Sequence, residues 1–235
     1  MSKTTEFYEV VDRGYAFCNC RNIFYTDWSN IDCRIYDETY YKKYQHENYD
    51  KSYKHGTDYY FPILESHKQI NTFCDIGAIN STILDEAKLR GWETTRLDIN
   101  ETSKDKTHKI IIGNIEDPWI QEKLFGIDCL WMSHVIEHLR DPIKAIKNIR
   151  KILSDDGIIY IAMPDPFFIN WNSPETWGHW SMREHHILWD MDSFIELMEE
   201  NGYECVHAVR HGIKKTFICI REYHLIFRKN GHGSS

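Results

Sequence analysis

The most informative stretch of the sequence is Phe73-Cys74-Asp75-Ile76-Gly77-Ala78-Ile79-Asn80. Its apolar beginning predicts a short strand over residues 72–76, and residues 81–90, which are followed by Gly91, predict a helix directly after it. A glycine in the turn lets the backbone come close to a ligand, and open α/β sheets bind ligands at the carboxyl ends of their strands. The stretch is therefore a candidate cofactor-binding turn.

Strands and helices continue to alternate after this unit. Further strands are predicted at residues 94–99, 109–113, 127–132, 158–163, 203–210 and 216–227, and helices at residues 118–124, 141–153 and 190–201. Short strands separated by helices are typical of parallel βαβ units, whereas the last two strands are close enough to pair as a hairpin. The pattern predicts an α/β fold with a Rossmann-like, doubly wound sheet of seven strands, mostly parallel, with an antiparallel C-terminal hairpin.

The chain divides into one main domain and two flanking segments. We expect an N-terminal extension and lid at residues 1–60, the α/β domain at residues 61–228 and a tail at residues 229–235. Eight of the 14 tyrosines fall between residues 36 and 60, and their amphipathic rings suit a helical lid that faces both a cofactor and water. They would equally serve to cover the sheet. The extension also holds Cys18, Cys20 and Cys33, which are too few ligands for a zinc site.

The composition excludes several classes of protein. Hydrophobic residues make up 42% of the chain and charged residues 27%, as in globular proteins, and no apolar run reaches the roughly 20 residues of a membrane helix. The start of the chain shows no secretory signal, and its seven cysteines lack framework spacing, so we expect reduced thiols and a cytoplasmic protein. The formal net charge of -8 argues against nucleic acid as a partner.

Asp98 is a candidate ligand for a ribose. It lies 21 residues after Gly77, at the end of the second predicted strand. An acidic side chain at this place can accept hydrogen bonds from both ribose hydroxyls. The alternative is a solvated residue at a strand end.

The order and spacing of several motifs resemble the class I S-adenosylmethionine-dependent methyltransferases over residues 36–227. The motifs include Asp75-Ile76-Gly77, Leu97-Asp98, Gly113-Asn114-Ile115, Val135-Ile136-Glu137-His138 and Met163-Pro164. The resemblance implies that the glycine turn faces the methionine part of the cofactor, that the acidic residue holds the ribose, and that the end of the third strand flanks the adenine. The candidate cofactor-binding residues are then Asp75, Gly77, Ala78, Ile79, Asp98, Ile99, Asn114, Ile115 and Ser133.

Ile79 departs from the pattern of that family. The family usually has a second glycine at this position, and the branched side chain of Ile79 takes up space next to the cofactor. Either the turn shifts slightly, or the chain is a methyltransferase-like binding module that has lost catalysis.

The segment Ser133-His134-Val135-Ile136-Glu137-His138 holds the densest group of chemically active side chains. If residues 134–138 begin a helix, His134, Glu137 and His138 share one face. As a bare string, His-x-x-Glu-His also matches the inverzincin proteases, but its position just after a βαβ strand argues against a protease.

This segment is similar to the metal site of small-RNA 2′-O-methyltransferases. The resemblance implies a divalent cation held by His134, Glu137, His138 and His185, the last of which lies four residues before Trp189. Three histidines and one glutamate favour Zn²⁺, Fe²⁺ or Mn²⁺ over Mg²⁺. The alternative is a Glu-His pair without a metal, as in relatives of the ubiquinone-biosynthesis O-methyltransferases.

The predicted activity is methyl transfer from S-adenosylmethionine to a small-molecule or sugar hydroxyl. A cation would lower the pKa of the bound hydroxyl. Without a metal, His134, His185 or His186 would take the proton as general base. An RNA 2′-O-methyltransferase is a further alternative, and the acidic net charge argues against it. We expect no membrane partner.

Overall fold

The structure is a computed structural model of the chain. It describes residues 7–9, 15–18, 23–26, 47–78, 80–100, 107–169, 176–177, 179, 184–215 and 218–231. The strands are β1 (Phe7–Glu9), β2 (Tyr15–Cys18), β3 (Ile23–Thr26), β4 (Thr72–Ile76), β5 (Glu93–Asp98), β6 (Lys109–Ile112), β7 (Ile127–Ser133), β8 (Leu153–Pro164), β9 (Ile187–Leu188), β10 (Tyr203–Lys215) and β11 (Ile218–Lys229). The helices are α1 (Glu47–His67), α2 (Thr82–Leu89), α3 (Ile120–Lys123), α4 (Pro142–Ile152) and α5 (Met191–Glu200).

Seven strands form the central sheet in the order β10-β11-β8-β7-β4-β5-β6. The five strands from β4 to β8 run parallel to their neighbours, whereas β11 pairs antiparallel with β8 and β10 pairs antiparallel with β11. This is the predicted doubly wound sheet with its C-terminal hairpin, and the prediction of the fold class is confirmed. The order places the carboxyl ends of β4, β5, β6 and β7 along one edge.

Apolar layers cover both faces of the sheet. On one face, α4 and α5 bury residues such as Ile149 and Phe194 against the sheet. On the other face, α1 and α2 bury residues such as Phe61 and Leu84. Parallel strands that are covered on both faces read as continuous apolar runs, which is why β4 and β7 were recognisable in the sequence.

The N-terminal segment contributes a second, smaller sheet. Its strands are antiparallel, in the order β1-β2-β3-β9. Cys20 and Cys33 lie outside the described residues. Helix α1 continues through residue 60, so the predicted extension and the α/β domain share one helix.

The structure describes the side chains of two tyrosines of the predicted lid, Tyr59 and Tyr60. Tyr60 is buried, and its ring stacks on that of His224 at 5.0 Å between centroids, so this ring packs against the sheet. Tyr59 is 49% exposed. The side chains of the other six tyrosines lie outside the described residues, and the lid remains a prediction there.

Among the described residues, no helix is both long enough and apolar enough to cross a membrane.

Candidate active site

Gly77 begins the turn after β4 and is held closely on two sides. Its N–H donates to the carbonyl of Leu97 at 2.8 Å, and its backbone is left-handed, with φ +75°. A β-carbon at this position would lie 2.6 Å from Cγ2 of Val135, so the turn accepts glycine alone. Ala78 follows as a buried residue. Ile79 lies outside the described residues, so its effect on the cofactor remains a prediction.

Asp98 ends β5 one strand away from this turn, and it is 4% exposed. Its Oδ1 accepts a hydrogen bond from the N–H of Asn100 at 3.0 Å, and its Oδ2 accepts one from Arg96 at 3.2 Å. These two hydrogen bonds fix the orientation of the Asp98 carboxylate at the end of β5. The predicted roles of the glycine turn and Asp98 in binding S-adenosylmethionine remain predictions.

Asp75 lies in the core rather than at the open edge. It is 3% exposed, and burial raises the pKa of its carboxyl; Arg96 opposes this rise and Asp98 adds to it. Its predicted role in cofactor binding remains a prediction.

The remaining predicted cofactor residues differ in their contacts and in their exposure to solvent. Asn114 accepts a hydrogen bond from the N–H of Glu116 at 3.0 Å and donates one to its carboxylate at 3.0 Å. Ile115 is buried, whereas Ile99 is 46% exposed beside Asp98. Ser133 ends β7 and is partly buried.

His134 forms a tight turn and not the predicted first turn of an α-helix. Its φ is +54°, and its N–H donates to the carbonyl of Ala162 on β8 at 2.9 Å. A single 3₁₀ turn, Ile136–His138, follows. The pairing with β8 therefore extends to residue 134 and prevents an α-helix from starting there. Even so, Nδ1 of His134 lies 3.2 Å from Oε1 of Glu137.

Glu137, His138 and His185 form a group of metal-ligand type. One ligand atom from each lies within 4.8 Å of the others. Nδ1 of His138 donates to the carbonyl of Glu184 at 2.8 Å, and Nε2 of the same ring lies 3.8 Å from Oε1 of Glu137. Oε2 of Glu137 is buried and has no hydrogen-bond partner in the described part of the chain. Two imidazoles and a carboxylate with a free buried oxygen fit a divalent cation with an open coordination position.

The pKa shifts of Glu137, His138 and His185 favour the protonation states that bind a metal ion. Burial would raise the pKa of Glu137, but the hydrogen bond from His134 and the neighbouring imidazoles lower it to about 2. Burial lowers the pKa of His138 and lowers that of His185 further, with His138 adding to the effect on His185. A carboxylate and two neutral imidazoles are the ligand forms that metal ions need.

His134, the fourth predicted ligand, lies beside this group and contacts it through Glu137. Its Nε2 lies 3.4 Å from Oε1 of Glu222, so both of its ring nitrogens face carboxylates. Burial would lower the pKa of His134, but Glu222 and Glu137 raise it to about 10. In this arrangement His134 is a cation that donates hydrogen bonds to Glu137 and Glu222. Its predicted roles as base and as metal ligand remain predictions.

His186 contacts the candidate metal group through its backbone. Its N–H donates to the carbonyl of Glu137 at 2.7 Å. Burial and the nearby His138 lower the pKa of its side chain to about 4. Its predicted role as general base, like that of His185, remains untested.

Three residues of this region were not recognised from the sequence. Glu222 on β11 and His179 in the loop after β8 contact His134, and His224 on β11 contacts Glu222. The signal for Glu222 and His224 is their spacing of two residues in a strand, which places both on one face. No local pattern marks His179.

Comparison with known proteins identifies the family. The model of a methyltransferase domain matches residues 44–208. No curated protein sequence matches the chain.

Several solved structures share the fold at low sequence identity. A SAM-dependent methyltransferase from Archaeoglobus fulgidus is 15% identical with a TM-score of 0.61, and the match covers 82% of this chain and 100% of that one. The 1,6-didemethyltoxoflavin-N1-methyltransferase of Burkholderia thailandensis, solved with bound 1,6-didemethyltoxoflavin and S-adenosylhomocysteine, is 14% identical with a TM-score of 0.54, and the match covers 96% of this chain and 99% of that one. A [4+2]-cyclase is 11% identical with a TM-score of 0.55, covering 76% and 82%.

These neighbours establish the fold, and the family match spans more than half of the chain. The glycine turn and Asp98 lie at the carboxyl ends of β4 and β5, and open α/β sheets bind ligands at such strand ends. The chain belongs to the class I S-adenosylmethionine-dependent methyltransferases.

Proposed function

We propose that this protein transfers a methyl group from S-adenosylmethionine to a hydroxyl of a small molecule or sugar, with a divalent cation at Glu137, His138 and His185. One observation carries the proposal. Val135 packs against the glycine turn, and two residues later the same segment supplies Glu137 and His138. The cofactor turn and the candidate metal group are therefore parts of one structural unit.

The reaction is an in-line displacement. A bond forms between the acceptor oxygen and the methyl carbon, the bond from that carbon to sulfur breaks, and the products are a methyl ether, S-adenosylhomocysteine and a proton. A bound divalent cation would supply a lowered pKa for an acceptor hydroxyl. The chain itself contributes by holding the two reactants in line.

The acceptor is proposed to be small because of charge. The formal net charge of -8 disfavours a polyanion such as RNA. A cytoplasmic setting belongs to the same proposal, since Cys74, Cys129 and Cys205 are free thiols.

A binding module without methyltransferase activity is the second candidate function. Ile79 at the glycine position favours it. The [4+2]-cyclase among the structural neighbours illustrates that this fold also carries other chemistry.

Calorimetric titration with S-adenosylhomocysteine distinguishes the two candidates. We expect binding in the micromolar range, and no heat at millimolar ligand would refute the proposed enzyme. Radiolabelled methyl transfer to 3,4-dihydroxybenzoate, methyl α-glucoside and a short RNA then tests the acceptor class. Label in the RNA alone would contradict a small acceptor.

Metal analysis of protein purified without chelator tests the cation. We expect about one equivalent of a transition metal, and loss of that metal in His138→Ala. Methyl transfer that persists in metal-free protein would remove the cation from the proposal.

A further inference from the structure

Glu222 is approached by imidazoles from three different parts of the chain. His134 after β7 and His179 in the loop after β8 lie 3.4 and 3.2 Å from its Oε1, and His224 on β11 lies 3.4 Å from its Oε2. The Glu222 side chain is 24% exposed. A partly buried carboxylate with three basic neighbours has a fixed orientation, because moving it would break contacts in several directions.

His224 holds one oxygen of Glu222 in place. The hydroxyl of Tyr160 lies 2.6 Å from Nδ1 of His224. Burial raises the pKa of Tyr160 well above its usual range, so the tyrosine keeps its proton and donates it to Nδ1. Because Nδ1 of His224 accepts this hydrogen bond, its Nε2 carries a ring proton and faces Oε2 of Glu222 at 3.4 Å.

His134 connects Glu222 to the candidate metal group. Its Nε2 faces Glu222 and its Nδ1 faces Oε1 of Glu137. Oε1 of Glu137 is held by His134, whereas Oε2 is buried and has no hydrogen-bond partner among the described residues. The orientation of Glu137 thus depends on His134, and that of His134 depends on Glu222.

We propose that Glu222 is a positioning residue for the metal group of Glu137, His138 and His185, and that it acts through His134. The inference rests on the cation of the proposed function. Partners beyond the direct ligands typically change metal affinity about 10–100-fold when they are removed. Glu222 contacts His134, which in turn contacts the ligand Glu137. We therefore expect the loss of metal affinity to be near the lower end, about 10-fold.

Cobalt(II) is the probe for this proposal. Its visible absorption reports coordination geometry and its titration gives a dissociation constant, without any methyl acceptor. We expect Glu222→Gln to weaken Co²⁺ binding about 10-fold and to shift the absorption bands. Glu222→Asp, which keeps the charge, should recover part of the affinity.

The matched control is Glu204→Gln on the same hairpin. Glu204 is half exposed and pairs with Arg228, so its variant should bind Co²⁺ like the wild type. His138→Ala, which removes a ligand, should abolish binding. Thermal melting of each variant reports whether it is folded. If Glu222→Gln is unfolded, Glu222→Asp replaces it in the comparison. We expect Glu222→Asp to bind Co²⁺ more weakly than the wild type.

Two results would overturn the inference. One is equal Co²⁺ affinity in wild type, Glu204→Gln and the folded Glu222 variant. The other is a wild-type protein that does not bind Co²⁺. If that protein still binds S-adenosylhomocysteine, the proposed methyl transfer stands and only the metal is refuted. Absence of S-adenosylhomocysteine binding refutes the proposed activity, whatever Co²⁺ does.

Discussion

Gly77 and Val135 are in such close contact that a β-carbon on Gly77 would lie 2.6 Å from Cγ2 of Val135. The left-handed φ of +75° adds strain for any other residue. We therefore predict that Gly77→Ala weakens S-adenosylhomocysteine binding by about 10-fold or more, equivalent to about 1.4 kcal/mol. Calorimetry measures this. Gly56→Ala in α1, where nothing lies within 4 Å of the added carbon, is the control and should bind normally.

Asp98→Asn tests the ribose contact. The variant loses charge-assisted hydrogen bonds, so we expect S-adenosylhomocysteine affinity to fall by about 1.5–3 kcal/mol. Arg96 also loses a carboxylate partner, so the melting temperature should drop. Glu93→Gln, at the exposed opposite end of the same strand, should change neither quantity. Unchanged affinity in Asp98→Asn would place the ribose elsewhere.

His185 and His186 provide an adjacent pair with different expected roles. His185 belongs to the metal group, whereas His186 contacts Glu137 through its backbone. We predict that His185→Ala loses the bound divalent metal in metal analysis and that His186→Ala retains it. If His186→Ala also lost the metal while remaining folded, the ligand set would need revision.

Stability should fall in mild acid because of a second group of histidines between α1 and the C-terminal hairpin. Burial lowers the pKa of His207, and the nearby His67, His211 and His224 lower it further. Burial also lowers the pKa of His211; His224 and His55 add to this and Glu222 opposes it. The unfolded chain then binds more protons than the folded one below about pH 6.5, so stability is lost as the pH falls.

His207→Gln isolates one of these groups. Between pH 7.5 and 5.5, we expect the wild type to lose about 2–4 °C more in melting temperature than the variant. Scanning calorimetry at both pH values measures the difference. Parallel losses in the two proteins would show that His207 does not contribute.

The strand ends of the cofactor site were predictable from the sequence, and the polar group around Glu222 was not. Gly77 follows the short apolar run of β4, and Asp98 was found by its spacing of 21 residues from Gly77. The left-handed turn at His134 depends on a hydrogen bond to Ala162, which no local pattern encodes. The position of Glu222 depends on the register that places it opposite Pro164, and such register is a tertiary property.

The pairing of β3 with β9 has a consequence for the order of folding. Phe24 and Tyr25 pair with Leu188 and Ile187, which come directly after His185 and His186. A contact between such distant parts of the chain closes a long loop, and contacts of high sequence separation form slowly. We therefore expect the segment that carries His185 to be completed late in folding, when residues 23–26 have paired with residues 187–188.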